Sequence, residues 1–512
     1  MSSKTEKTIS KKAPRKSRAT EIAETFEWLI TAFVLAFVFR SFVMEAFRIP
    51  TGSMADTLMG AHFRLSCPQC GYKYNYGFVP ERYGLPQDTI PGGNLRAVNS
   101  RCPSCGYYQP VGGTIPIANG DRILVLKCIY QFFEPRQWDV VVFKNPLEPS
   151  INYIKRLIGR QGETVEIIDG DIYINGQISR KPPKVQNELW MPIYDNDYQP
   201  VRPQEGSFNG HIWQQPFDVA NSKWTLDETN PTRFCLDGPA GQNHLLTYDS
   251  SIGNDFRATY SYNEIDGYDR RPYCSDLMVR FYAIPNHLLS SVGISLSKYN
   301  TCYRAMMNWK GDMVISRVSG DAEEILKRKK TGHVDYEKPV LVRFANVDHQ
   351  LIFQVGAEKL TYDLGRGPDD AGQRETDIQP EVKIFGSGKL TLSHIAIFKD
   401  IHYTAAKFAS GRKSGRATED NPLILGKDEF FVLGDNSPNS QDSRWWGSPG
   451  VGNNGRFYRA GIVPREYLVG KALFVYWPSG FKLHLGRTMS RFAIIPNIGR
   501  MRFIHGGSSE NW

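Results

Sequence analysis

Past residue 44 the chain has no second long apolar run; the apolar stretches near its C-terminus are short and broken by Lys, Arg and Pro. A membrane-spanning helix needs about 20 mostly apolar residues, so the sequence offers one span and no more. No small-x-small site follows that run, which argues against a removable secretory leader. A DNA-binding pattern is also missing. The net charge of +9 does not supply one, because seven basic residues (Lys4, Lys7, Lys11, Lys12, Arg15, Lys16 and Arg18) crowd into the first 18 positions. That segment has no apolar periodicity and reads as a disordered tail.

At 512 residues the chain exceeds one ordinary domain. The basic tail is placed at 1–21 and a retained transmembrane anchor at 22–44. Glu27 and Arg40 bound the uncharged core of that anchor and can snorkel to the interfaces. The positive-inside rule puts the tail in the cytosol and everything after Met44 on the far side.

Two residues carry the chemistry. Ser53 lies in Ile49-Pro50-Thr51-Gly52-Ser53-Met54, just beyond the anchor, and Lys155 lies in the apolar setting Tyr153-Ile154-Lys155-Arg156-Leu157-Ile158. A serine hydroxyl needs a neighbouring base before it becomes a nucleophile. A lysine serves as that base once burial disfavours its ammonium form. Such Ser-Lys pairs are a known variant of the serine hydrolase arrangement.

A third block follows in order, Gly434-Asp435-Asn436-Ser437-Pro438-Asn439-Ser440-Gln441-Asp442-Ser443-Arg444. Together these blocks resemble the signature boxes of bacterial type I signal peptidases (leader peptidases). Trp138-Asp139-Val140-Val141-Val142-Phe143 resembles a fourth box. The resemblance covers less than half of the chain. It implies a mainly β fold, an antiparallel β core behind one N-terminal transmembrane helix. It also implies a membrane-anchored serine endopeptidase that removes signal peptides from exported preproteins, with no cofactor for catalysis.

By the same resemblance, Ser53 is the nucleophile and Lys155 the general base. Thr51 supplies an oxyanion donor, Ser440 orients the lysine amine, and Asp442 with Arg444 forms a supporting ion pair. Asn436 and Asp435 hold the turn. The substrate docks as an extended strand. Phe47, Ile49, Pro50, Met54 and Ile154 are placed to line shallow pockets for its small residues. Asp56, Gln137-Trp138-Asp139 and Arg160-Gln161-Gly162-Glu163 depart from the family pattern without removing a catalytic atom.

The peptidase pattern is interrupted twice. Its pieces fall at 45–66, 114–180 and 425–512, the last with a C-terminal tail. The first insertion, 67–113, holds Cys67-Pro68-Gln69-Cys70 and Cys102-Pro103-Ser104-Cys105. Two such knuckles supply four thiolates for tetrahedral zinc, and the segment resembles a zinc ribbon. Disulfides are the rival in an extracytoplasmic compartment. Thiol-redox chemistry is a second rival, although no βαβ pattern accompanies the motif, and plain buried thiols are a third. The second insertion, 181–424, alternates short strands with Gly, Asp and Asn turns and resembles laminin-G/concanavalin-like jelly rolls. Carbohydrate or protein is its expected ligand. Cys235, Cys274 and Cys302 also lie there, and their pairing is open.

Two other functions compete. One is an inactive peptidase-like scaffold whose sandwich binds a ligand. The other is a self-cleaving Ser-Lys repressor-type protease, against which the anchor and the missing DNA-binding pattern both count. The expected partners are signal peptides and membrane lipid, not nucleic acid, at a bacterial inner membrane.

Overall fold

The apolar run forms one helix, Arg18–Val38, which continues through a wider turn at Phe39–Val43. Over Glu21–Val43 its mean hydropathy is 1.8 and none of it is buried in protein, so it is long and apolar enough to cross a membrane. Trp28, Phe33 and Phe37 all point outward, as in a helix with no protein partner. The computed structural model describes residues 18–507 apart from 87–88, 92, 201–211, 266–267, 333–337, 366–377, 405–414, 420, 453–454, 456, 483–492 and 496. Most of the expected basic tail therefore lies outside the described residues.

The helix runs straight into an edge strand, Met44–Arg48. From there an antiparallel sheet passes through Arg122–Leu126, Leu468–Trp477, Val140–Lys144, Asn152–Gly159 and Glu429–Leu433 to Val463–Pro464. Its central strands are apolar on both faces. Val140 and Val142 pack with Ile123, Val125 and Ile154, while Val141 and Phe143 pack with Leu157, Val432 and Trp446. Period-two alternation sorts these side chains, and it also sends Lys155 and Arg156 to opposite faces.

A small sheet joins Thr164–Ile168, Asp171–Ile174 and Gln177–Ile178 to Leu423–Ile424. Leu423 pairs with Val165, so the long insertion leaves and returns side by side. Between these points two antiparallel sheets face each other over an apolar core that includes Trp224, Phe281, Ile294, Trp309, Phe344 and Ile384. This is a β-sandwich. Buried ion pairs from Lys181 to Asp348 and Asp400, and from Lys298 to Asp276 and Asp171, tie it to the small sheet. The first insertion is a four-stranded sheet, in the order Lys73–Gly77, His62–Ser66, Tyr108–Ala118, Asn94–Arg101.

Candidate active site

Ser53 follows the edge strand in a tight turn. Ala55 N–H bonds to Gly52 O at 3.0 Å and Leu58 N–H to Met54 O at 2.7 Å. Asp121 clamps the far end of that turn, its carboxylate accepting from Met59 N–H at 3.0 Å and Ser479 N–H at 3.0 Å. Lys155 Nζ donates to Ser53 Oγ at 2.6 Å and to Ile154 O at 3.0 Å. The lysine is only 4% exposed. Burial pulls its pKa from the usual 10.5 down to about 8, against the pull of Asp442 and Asp435 in the other direction. A serine hydroxyl and a buried lysine amine of lowered pKa thus stand in hydrogen-bond contact, the arrangement a base–nucleophile pair requires.

The loop after Glu429–Leu433 closes over this pair. Asn436 N–H donates to Ser53 O at 3.1 Å and its side-chain amide to Gly52 O at 3.0 Å. Gly434 is required here, because a Cβ would lie 2.5 Å from Ser53 O and 2.2 Å from Ser440 Oγ. Asp442 and Arg444 meet at 2.7 Å with both side chains fully buried. Gly434 N–H donates to Asp442, while Arg444 also donates to Thr404 O and Ser437 O. With its remaining donors and acceptors satisfied, such a pair is tolerable in the interior. Its effect is to fix the loop.

The expected residues are placed unevenly. Thr51 is exposed and faces a cavity of about 260 Å³ beside Ser53. Pro50 faces the same cavity. Ile49, Met54 and Ile154 are packed in the core beneath it, with Phe47 half-buried against them. None of these four lines the cavity; they form the apolar base on which the turn at Ser53 sits. Ser440 is buried next to Gly434, but its hydroxyl makes no hydrogen bond.

Sequence reasoning passed over Arg156. Its guanidinium grips Asp435 with two bonds of 2.8 and 2.7 Å, and both groups are buried. The signal was available, since a charge beside Lys155 in an apolar strand must find a buried counter-charge.

The four knuckle cysteines converge. Cys67 Sγ and Cys105 Sγ are 3.6 Å apart, as are Cys70 Sγ and Cys102 Sγ. All four sulfurs lie within 4.8 Å of one another. A disulfide needs about 2.05 Å, whereas zinc–thiolate bonds of about 2.3 Å give a tetrahedral edge near 3.8 Å. The two knuckles also match in backbone. Gly71 N–H bonds to Cys67 O at 2.9 Å and Gly106 N–H to Cys102 O at 3.1 Å. Such a cluster can hold a metal. A second group of close ligand atoms, Asp171, Asp276 and Asp348, is instead ion-paired with the ammonium groups of Lys298 and Lys181. Cys235, Cys274 and Cys302 are all free thiols.

The family model described as signal peptidase, peptidase S26, matches residues 113–215 and 395–477. These segments, about a third of the chain, are similar to that family. Signal peptidase I of Rickettsia canadensis (strain McKiel) is 32% identical over 151 residues, which is 29% of this chain and 42% of that protein. Signal peptidase I of Rickettsia conorii (strain ATCC VR-613 / Malish 7) is 33% identical over the same length and shares. The chain thus spans less than half the length of the curated signal peptidases it matches. The matched segments include Lys155, Ser440 and Asp442, and Ser53 falls before them. Among solved structures, a carbohydrate binding module CBM66 from Bacillus subtilis aligns with 36% of this chain and 95% of its own, at 6% identity and a TM-score of 0.25. That likeness is too slight to speak for fold or ligand.

Proposed function

We propose that this protein is a membrane-anchored serine endopeptidase that cleaves signal peptides from exported preproteins with Ser53 as nucleophile and Lys155 as general base. The observation that carries this reading is the 2.6 Å contact between Lys155 Nζ and Ser53 Oγ in a buried setting. Ser53 Oγ attacks the scissile carbonyl as its proton passes to the neutral amine. The ammonium then protonates the leaving amine. Thr51 and the Ser53 N–H are assigned to the oxyanion. Asp442 and Arg444 hold the loop that aims the pair, and Ser440 lies buried within it beside Gly434. The helix meets membrane lipid, its tail stays in the cytosol, and the catalytic region faces outward at a bacterial inner membrane. An inactive scaffold would have no reason to keep a contacting serine and lysine over an intact loop.

Purified full-length protein is expected to cleave a test preprotein at its signal junction, and Ser53→Ala to leave it intact. Cleavage by the variant would remove Ser53 from its role. Rate should rise with pH, since the base must lose its proton. With an inflection near 8, kcat at pH 7 is about a tenth of its plateau. A flat profile between pH 6 and 9 would contradict a desolvated lysine base.

The sandwich supports a second reading, as a binder of carbohydrate or protein. A trough of about 770 Å³ on one sheet is lined by Arg280, Tyr282, His394, Asp195, Asp197 and Asp227. Convergent polar groups around an aromatic ring suit a hydroxyl-rich ligand. Soluble oligosaccharides should raise the melting temperature of the protein and lose that effect in Arg280→Ala. No shift with any glycan would leave a protein ligand in its place.

A further inference from the structure

One loop of the long insertion reaches the nucleophile. Tyr260 is buried with Trp138, Phe431 and Leu433 of the peptidase part. Two residues on, the ring of Tyr262 lies against Gly52, where a Cβ would come within 2.1 Å of it. Tyr262 OH donates to Ala61 O at 2.9 Å, and Tyr262 O accepts from Gly77 N–H at 2.8 Å. The neighbouring Asn263 makes a reciprocal amide pair with Asn436. Asn263 Nδ2 donates to Asn436 Oδ1 at 2.6 Å, and Asn436 Nδ2 donates to Asn263 Oδ1 at 2.8 Å. Asn439 Nδ2 donates to the same Asn263 oxygen at 3.1 Å. Both members of the pair are buried, at 6% and 1% exposure.

Asn436 is the residue that grips the carbonyls of Gly52 and Ser53. We propose that Asn263 and Tyr262, carried by the sandwich insertion, are positioning residues for the nucleophile. Asn263 fixes Asn436, Asn436 fixes the Gly52–Ser53 backbone, and Tyr262 closes the turn from the opposite side. Ser53 Oγ is thereby held toward Lys155. The inference rests on the serine–lysine reading above. Its physical basis is that a buried amide stripped of its partner rearranges to find another. A nucleophile displaced by about 1 Å loses on the order of 10²-fold in rate. The insertion is then a part of the active site, and cannot be treated as an appended module.

The test uses the full-length protein in detergent, with kcat and KM measured on one preprotein. Asn263→Ala should lower kcat about 30- to 100-fold with KM changed less than about 3-fold. In an Asn436→Ala background the same substitution should cost less than about 3-fold, because the two residues act as one unit. Should Asn263→Ala fail to fold, Asn263→Asp keeps the side-chain shape and both accepted bonds. It sets an acceptor oxygen against Asn436 Oδ1 in place of the donated bond, and should lower kcat at least about 10-fold. Unchanged kcat in the folded variants, or fully multiplicative losses in the double variant, would overturn this inference alone. Failure of the wild-type protein to cleave would overturn the serine–lysine reading, and this inference with it.

Discussion

Lys155→Met is expected to abolish cleavage and at the same time to make the protein more stable. Met is close to Lys in length, and its flexible thioether fills a lysine-shaped space without a charge. The folded protein holds the amine at a pKa of about 8, whereas the unfolded chain holds it near 10.5. That difference costs the fold on the order of 3 kcal/mol at neutral pH, before the lost bonds to Ser53 and Ile154 are subtracted. The sign follows from proton counting. Between pH 8 and 10.5 the unfolded state binds more protons than the folded state, so wild-type stability rises across that window. Below it the penalty is constant. Urea midpoints at pH 7 and pH 10 should therefore favour the Met variant clearly at the lower pH and much less at the higher one. A variant less stable than wild type at pH 7 would mean that the lysine is not a strained, desolvated base.

Removing metal from the cysteine cluster should have the next largest effect. We expect one zinc per chain by elemental analysis, held by Cys67, Cys70, Cys102 and Cys105. Structural zinc contributes about 10–16 kcal/mol in small isolated domains, far more than any single hydrogen bond in the ribbon. Its strands carry Tyr76, Gly77 and Phe78 into the cavity wall beside Ser53. Chelation, or Cys102→Ser, should expose the remaining thiols to a thiol reagent. It should also cut preprotein cleavage more than about 10-fold, while the sandwich, with its own core, keeps its melting transition. Metal-free protein without reactive thiols would establish disulfides instead.

The residues nearest the chemistry were the ones most legible in the sequence. Ser53 and Lys155 could be paired because each chemical role needs one residue type, and the order of the blocks restricted the candidates. The long N-terminal helix was legible from apolar length alone. The sandwich showed in alternation, as at Gln350–Val355. The second layer was harder to read. Asn263 lies 173 positions before Asn436, and nothing local marks an asparagine as half of a buried pair. Tyr262 matters because Gly52 lacks a side chain, a complementarity that exists only in three dimensions. Of the five residues expected at the pocket, Pro50 lines the cavity beside Ser53, while Phe47, Ile49, Met54 and Ile154 pack in the core. Proximity to Ser53 in sequence cannot tell a floor residue such as Met54 from a rim residue such as Pro50.

The strand that joins helix to nucleophile has a mechanical consequence. Its five residues are locked in register, from Met44 opposite Leu126 to Arg48 opposite Arg122. At about 3.3 Å per residue, this is a stiff bar and not a leash. Any tilt of the helix in a bilayer is thus passed on to the sheet and to Ser53. On the proposed function, membrane thickness and lipid order become inputs to the angle at which Ser53 meets a substrate peptide bond.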